Sequence, residues 1–245
     1  MESESTVTSE TPQPKGALWR LQGIFFEPSA TFEDINLKPG FIVPLIASIL
    51  ITFIVWQLIG HLVDLRELLF AQAKANPQAA NFSDEQIRAG LGFQLIMLKY
   101  LVPLLVPIVA LIFSGVFMLM VWISGSETTF SRLFSIVTQT FFFQSLVSGI
   151  LLVIVFALAK DPYSINLQNP LFTNLGPLVD PKTSPVLNRL ASSLDILNIY
   201  LIYLFGLGIS KISRRLSVAR GVTLVVIPYL IYLGIVLGAT ALMAG

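Results

Sequence analysis

Five stretches of this chain contain no Asp, Glu, Lys or Arg: residues 39–63, 100–126, 133–159, 196–210 and 221–245. Water solvates such segments poorly, whereas a bilayer core accepts them. A spanning helix needs about 20 mostly apolar residues to cross roughly 30 Å of hydrocarbon. Four stretches reach that length, and the one at 196–210 reaches it when extended back to Ser193. The pattern predicts an all-α, polytopic membrane bundle of five transmembrane helices with an N-terminal amphipathic interfacial helix. The spans are expected at about 41–63, 100–123, 134–159, 193–212 and 222–243.

Composition narrows the chemistry. Charged residues make up 12% of the chain, about half the roughly 25% usual in soluble domains. A net charge of +1 gives no strong pull on nucleic acid. The absence of Cys excludes disulfides and thiolate nucleophiles, and a single His, His61, excludes a multi-His metal site. No cofactor or metal is expected. No G-x-S-x-G, H-E-x-x-H, P-loop or G-x-G-x-x-G pattern occurs, and no intramembrane carboxylate pair, so the reading is not an enzyme.

Along the chain, residues 1–14 read as a disordered polar tail, 15–38 as amphipathic surface helices, and 39–245 as one five-span domain. Within 15–38, Leu18, Leu21, Ile24 and Phe25 share a face at helical spacing, and Trp19, Arg20 and Phe26 suit a membrane surface. The apolar pattern of span 1 continues through Leu62, Leu65, Leu69 and Ala73 until Asn76-Pro77 breaks it. Ser83 and Gln86 have the spacing of a capping box. Spans 1 and 2 are therefore expected to project beyond the bilayer as a helical hairpin with its tip near 76–82. Pro103 and Pro107 should distort the outer end of span 2. Residues 160–190 hold five prolines but also many Leu, which predicts an irregular segment packed on the outer membrane face. Ser192 and Asp195 look like a second helix start.

Orientation follows from positive charge, which concentrates in cytoplasmic loops. Lys211, Arg214, Arg215 and Arg220 fall in ten residues with no acid, whereas Lys160, Lys182 and Arg189 on the other side mix with Asp161, Asp180 and Asp195. This places the N-terminus in the cytoplasm and the C-terminus outside.

Several residues are candidates for chemistry, and each has a plainer reading. Asp195 is the acid nearest to hydrocarbon. It would bind a cation or relay protons with His61 or Asn198, or simply cap the helix of span 4; the Ser192 spacing favours the cap. His61 and Gln57 lie one turn apart on span 1, where an interfacial, ordinarily solvated His is the favoured reading. Thr140, Gln144 and Ser148 recur every four residues on span 3 and form a ridge, suited to a polar path or, more commonly, to interhelical hydrogen bonds. Gly234 and Gly238 align on span 5 as a close-packing stripe, against a helix of this chain or of a second copy. Trp19, Arg20, Phe25, Phe26, Lys211, Arg214, Arg215 and Arg220 are candidate contacts for lipid or partner, with anionic lipids suited to the basic set. Asn81-Phe-Ser83 matches a glycosylation acceptor.

The segment LWRLQGIFFEPSATFEDI, the prolines Pro39 and Pro44 at the opening of span 1, and SPVLNRLASSLDILNIYLIYLFGLGISKISR before a final apolar span together resemble the Yip family over roughly 18–240. The resemblance implies a five-span membrane protein; eukaryotic members bind Rab GTPases and act in vesicle traffic. The Asp-Leu-Tyr-Gly-Pro element and longer cytosolic region of those members are absent, so the chain is more similar to the prokaryotic branch. That implies a bacterial cytoplasmic (inner) membrane and carries over no Rab-related role and no site residue. The expected function is a non-enzymatic scaffold that organises membrane or recruits lipid, membrane-protein partners or further copies of itself; the alternative is a small-solute or ion transporter or channel.

Overall fold

The computed structural model describes residues 13–76, 79, 81–181 and 183–244. The expected tail at 1–14 lies mostly outside them, as do Pro77, Gln78 and Ala80 of the hairpin tip, and Lys182. The described chain is mostly helical, with ten α-helices: α1 (Ala17–Phe26), α2 (Pro28–Leu37), α3 (Ile42–Leu62), α4 (Leu65–Ala75), α5 (Asp84–Ile96), α6 (Val102–Ile123), α7 (Phe130–Leu158), α8 (Pro185–Ser193), α9 (Ile196–Ile212) and α10 (Val218–Ala244). Four helices are long and apolar enough to cross a membrane: α3, the continuous Asp84–Ile123 rod, α7 and α10. The fifth apolar helix, α9, has 17 residues and spans about 26 Å. The surface is that of a protein dissolved in lipid: Ile46, Leu50 and Ile54 on α3, Leu104, Ile108 and Ile112 on α6, and Leu230, Ile231 and Ile235 on α10 all point outward.

The centre is α7. Residues 133–143 are buried without interruption, so this part of the helix is covered on every side. α3 runs parallel to it, with Phe41 against Phe134 at one end and Val55 beneath Gly149 at the other. α9 runs antiparallel, pairing Gly208 with Ile136 and Tyr200 with Phe143. Phe113 and Phe117 of α6, Phe141 of α7 and Phe205 of α9 meet as an aromatic cluster, with centroids 5.2 to 6.2 Å apart. Such edge-on and tilted ring pairs add to simple area burial.

α6 turns into α7 through Gly125, whose φ of 72° supplies the left-handed residue of a Schellman stop. The Ser126 N–H returns to the Val121 carbonyl and the Gly125 N–H to that of Trp122. Along the Asp84–Ile123 rod, residues 97–101 form a π segment just before Pro103. Pro103 cannot donate to the ladder, and the widened turn, with the Val102 N–H bonded to the Met97 carbonyl, takes up the mismatch.

Two expected helix boundaries are corrected. The apolar periodicity does continue past span 1, but the helix does not: it stops at Leu62, and Asp64 caps the new helix α4 by accepting from the Arg66 and Glu67 N–H groups. The extension of span 4 back to Ser193 is not helical with it. α8 ends at Ser193, and α9 starts after Asp195. The expected helical hairpin is present as α4 and α5. Ser83 and Gln86 form the reciprocal capping box, Arg88 pairs with Glu67 at 2.6 Å, and its guanidinium stacks on Phe70. The segment after α7 is pinned by Gln72, which donates to the Ile165 carbonyl and accepts from the Leu167 N–H.

The glycine stripe expected on the last span packs against no described helix of this chain, which leaves a second copy as its possible partner. A side chain at Gly234 or Gly238 would meet nothing within 4 Å. The close crossing lies where α9 and α10 leave their turn: a Cβ on Gly221 would strike the Gly206 carbonyl oxygen, and one on Gly206 would come within 2.6 Å of the Val222 backbone. Gly221→Ala should therefore separate the two helices and cost about 1–3 kcal/mol, the usual penalty of overpacking. Gly234→Ala and Gly238→Ala should leave stability unchanged or slightly raised. Thermal melting of the three detergent-solubilised variants tests this, and equal melting points would refute it.

The hairpin also has a pH dependence. The Arg88 hydrogen bond and charge hold the Glu67 carboxyl below its ordinary value of 4.5. A group lowered in the folded state stabilises above its unfolded value and loses that contribution as pH falls through the folded one. Amide protection factors in α4 and α5, corrected for the intrinsic pH dependence of exchange, should be flat down to about pH 4.5 and fall below it, and Glu67→Gln should abolish that fall.

Candidate functional site

Two regions gather polar side chains in an otherwise apolar molecule. The first is the end of the bundle where α1, α2 and the short turns before α7 and α10 meet. Arg20 is 5% exposed and is its hub. Its Nε donates to Asp34 Oδ2 at 2.5 Å and its Nη2 to the Asp34 carbonyl, while Asp34 Oδ1 accepts from the Lys15 N–H at 2.7 Å. The guanidinium lies over Gly40, whose N–H donates to Ser135 of α7. Gln139 of α7 donates to the Arg20 carbonyl at 2.7 Å. Phe25 packs on Phe142 and Phe143, and Lys211 of α9 bonds Glu33 of α2 at 2.6 Å. α1 and α2 are thus bolted to α7 and α9 as a fixed cap.

This arrangement corrects part of the sequence reading. Arg20 is the tie that closes the cap, not a contact for lipid, because its partner Asp34 sits across the α1–α2 turn. Phe25 is turned inward, and Lys211 is engaged by Glu33. Trp19 is half-buried with the Lys15 ammonium 3.7 Å from its ring centre. What the cap presents outward is Leu18 and Phe26, and beside it the exposed Arg214, Arg215 and Arg220, which have no acidic partner among the described residues. Arg215 sits at φ 64°, a left-handed conformation that costs a non-glycine residue about 1 kcal/mol or more. The turn pays this to join two antiparallel helices in five residues, 213–217.

The second region is at the opposite end. Asp195 is 9% exposed and caps α9 by accepting from the Leu197 and Asn198 N–H groups. Its other oxygen accepts from Thr173 Oγ1 at 2.7 Å and from the Asn174 amide. Asn174 in turn exchanges hydrogen bonds with Asn169, which reaches Ser192. Asn188 donates to the Gly176 and Val179 carbonyls. These bonds fold the proline-rich connection onto the helix ends, so Asp195 serves both as a cap and as an anchor for that connection. Ser192, expected to open the helix, belongs instead to the end of α8.

The remaining candidates are dispersed. His61 is exposed at the end of α3. Gln57 has a buried Nε2 without a partner. Thr140 is buried with an unpaired hydroxyl, and among the described residues neither Gln144 nor Ser148 makes a hydrogen bond across helices. Gln139, one residue before the expected ridge, makes the interhelical bond instead. Most buried hydroxyls, including Ser48, Ser114 and Thr138, bond back to their own helix. Gln144 and Asn198 do meet at one place. They line both an apolar cavity of about 600 Å³ between α6, α7, α9 and α10 and an adjoining polar one of about 330 Å³ under the folded connection. The aromatic cluster of Phe113, Phe117, Phe141 and Phe205 lines the larger one.

Breaking the buried ion pair by Asp34→Ala or Arg20→Ala strands a charge and should cost about 3–5 kcal/mol. Arg20→Met with Asp34→Leu should recover most of that. A double variant as unstable as the singles would show that the pair is not the source of the loss.

Residues 23–240 match the family model described as the Yip1 domain. No curated protein and no solved structure matches the chain.

Proposed function

This chain belongs to the Yip1 domain family, and from that premise we propose that it is a non-enzymatic membrane scaffold whose cytoplasmic cap gathers anionic lipid and presents a fixed surface to membrane partners. The chain is an integral membrane protein; the scaffold role, the topology and the partners are the proposal. The observation that carries it is the pairing of a rigid platform with a free basic rim. Arg20, Asp34, Gln139 and Glu33 are spent on holding α1 and α2 in place. Arg214, Arg215 and Arg220 are exposed next to it and have no acidic partner among the described residues. Exposed Trp122, Leu18 and Phe26 supply interfacial anchors at the same end.

Charge supports the same orientation. The basic turn and both ends of the α1–α2 cap share one side, which favours a cytoplasmic N-terminus and an external C-terminus. The preferred membrane is the bacterial cytoplasmic one, and further copies of the chain remain candidate partners alongside other membrane proteins. The transporter reading gains nothing from the geometry. The span 3 ridge runs from a buried Thr140 with an unpaired hydroxyl to a Gln144 beside the aromatic cluster, and neighbouring Thr138 is turned back on its own helix.

Each basic residue near an anionic surface contributes about 1 kcal/mol. In vesicles mixing phosphatidylcholine with dansyl-labelled phosphatidylglycerol, energy transfer from Trp122 should report local enrichment that salt reduces. Replacing Arg214, Arg215 and Arg220 by Gln together should lower that enrichment at least fivefold. Unchanged transfer in the triple variant would remove the basis of this reading.

A further inference from the structure

The two adjoining cavities form a graded site that the cap and its rim do not explain. The larger, about 600 Å³, falls within the roughly 300–1,000 Å³ typical of small-molecule sites. Its walls are apolar: Val109, Ile112 and Val116 of α6, Leu201 and Ile202 of α9, and Val225 of α10. Ile112 and Val116 are themselves exposed, so the cavity opens sideways between α6 and α10 at bilayer depth. The four rings of the aromatic cluster also line it.

The smaller cavity continues from it. Gln144, Asn198, Leu201, Tyr229 and Tyr232 line both. Beyond them the lining becomes polar, with Gln168, Ser148 and Arg189. Arg189 is half-buried and has no acidic or hydrogen-bonding partner among the described residues. The exposed side-chain amides of Gln144 and Asn198 and the Tyr232 hydroxyl also have no hydrogen-bonding partner among the described residues. The one acid there, Asp195, has both oxygens held by four donors of its own chain and forms no ion pair with Arg189.

We propose that this joined cavity binds one phospholipid, its acyl chain in the apolar chamber and its phosphodiester against Arg189, with the Gln144 and Asn198 amides at the glycerol level. The argument is complementarity along a gradient. An unpaired guanidinium and free amide donors stand at one end, where a phosphate at the membrane surface would lie. An apolar slot open to the bilayer stands at the other. Guanidinium matches phosphate in shape and charge. The site lies at the end of the molecule opposite the basic rim, and it does not depend on the scaffold reading.

The test uses the full chain purified in detergent and incubated with an equimolar mixture of dioleoylphosphatidylglycerol and dioleoylglycerol, which share acyl chains and differ in the phosphodiester. Native mass spectrometry should show one phospholipid retained per chain, at least tenfold over the diacylglycerol. Arg189→Gln should cut that preference about tenfold, in keeping with loss of one charged hydrogen-bonding partner. Ile112→Trp with Val116→Trp, both at lipid-facing positions, should block the mouth and remove retention of either lipid while the melting point of the lipid-free protein stays within a few degrees. Loss of folding in that pair leaves the Arg189→Gln comparison to decide. Equal retention of the two lipids, or an unchanged preference in Arg189→Gln, would overturn the assignment. So would efficient crosslinking between two copies through Ile112→Cys, in a chain otherwise free of Cys, because a second copy would then fill the slot.

Discussion

Hydrocarbon supplies no hydrogen-bond partners, and that single constraint organises everything else in this molecule. Each backbone amide at bilayer depth must be satisfied by its own segment, which leaves only helices for a chain of this kind. Side-chain polarity obeys the same demand. Ser48, Ser114 and Thr138 return their hydroxyl protons to carbonyls one turn back. Where a helix loses a bond at Pro103, the π segment at 97–101 redistributes the ladder before the proline. Where α9 begins, Asp195 meets two amides that the helix itself cannot. With apolar side chains as content in lipid as inside the bundle, specificity falls to a few polar ties and to shape. The buried Arg20–Asp34 pair, Gln139 and the interlocked phenylalanines carry that burden.

Much of the architecture was legible in the residues. Charge-free stretches of the right length read directly as apolar helices, because solvation by lipid depends on local composition and little else. The Ser83–Gln86 capping box was equally local, and the structure contains it. The reading failed where an answer depends on two distant segments. The inward role of Arg20 needs Asp34, fourteen residues on, and the angle between α1 and α2 that brings them together. The break between α8 and α9 needs Thr173 and Asn174 from the proline-rich connection to hold Asp195. The glycine pair that matters was hidden among others. Small residues are common in apolar helices, and what singles out Gly206 and Gly221 is their closeness to the 213–217 turn, which forces the two helices together there. Gly234 and Gly238 lie farther from that turn. The candidate residues Gln144 and Asn198 stood out as polar groups at membrane depth. That they share a cavity followed only from the crossing of α7 and α9.

The two ends of the molecule are built on different principles. At the α1–α2 end, charged groups are paired inward, and the few that remain free sit on the rim. At the other end a dense net of Asn, Ser and Thr side chains folds an irregular connection over the helices, and the unpaired donors face a cavity.

The contact between Gly206 and Gly221 brings main chain against main chain, with no side chain between to act as a bearing. Helices that close can neither roll nor slide without collision, so α9 and α10 behave as one slab. Any breathing of the slot they border must then come from α6 on the facing side. That helix enters through the widened turn at 97–101 and leaves through the glycine-terminated stop at Gly125, so it meets the slab as a separately bounded element.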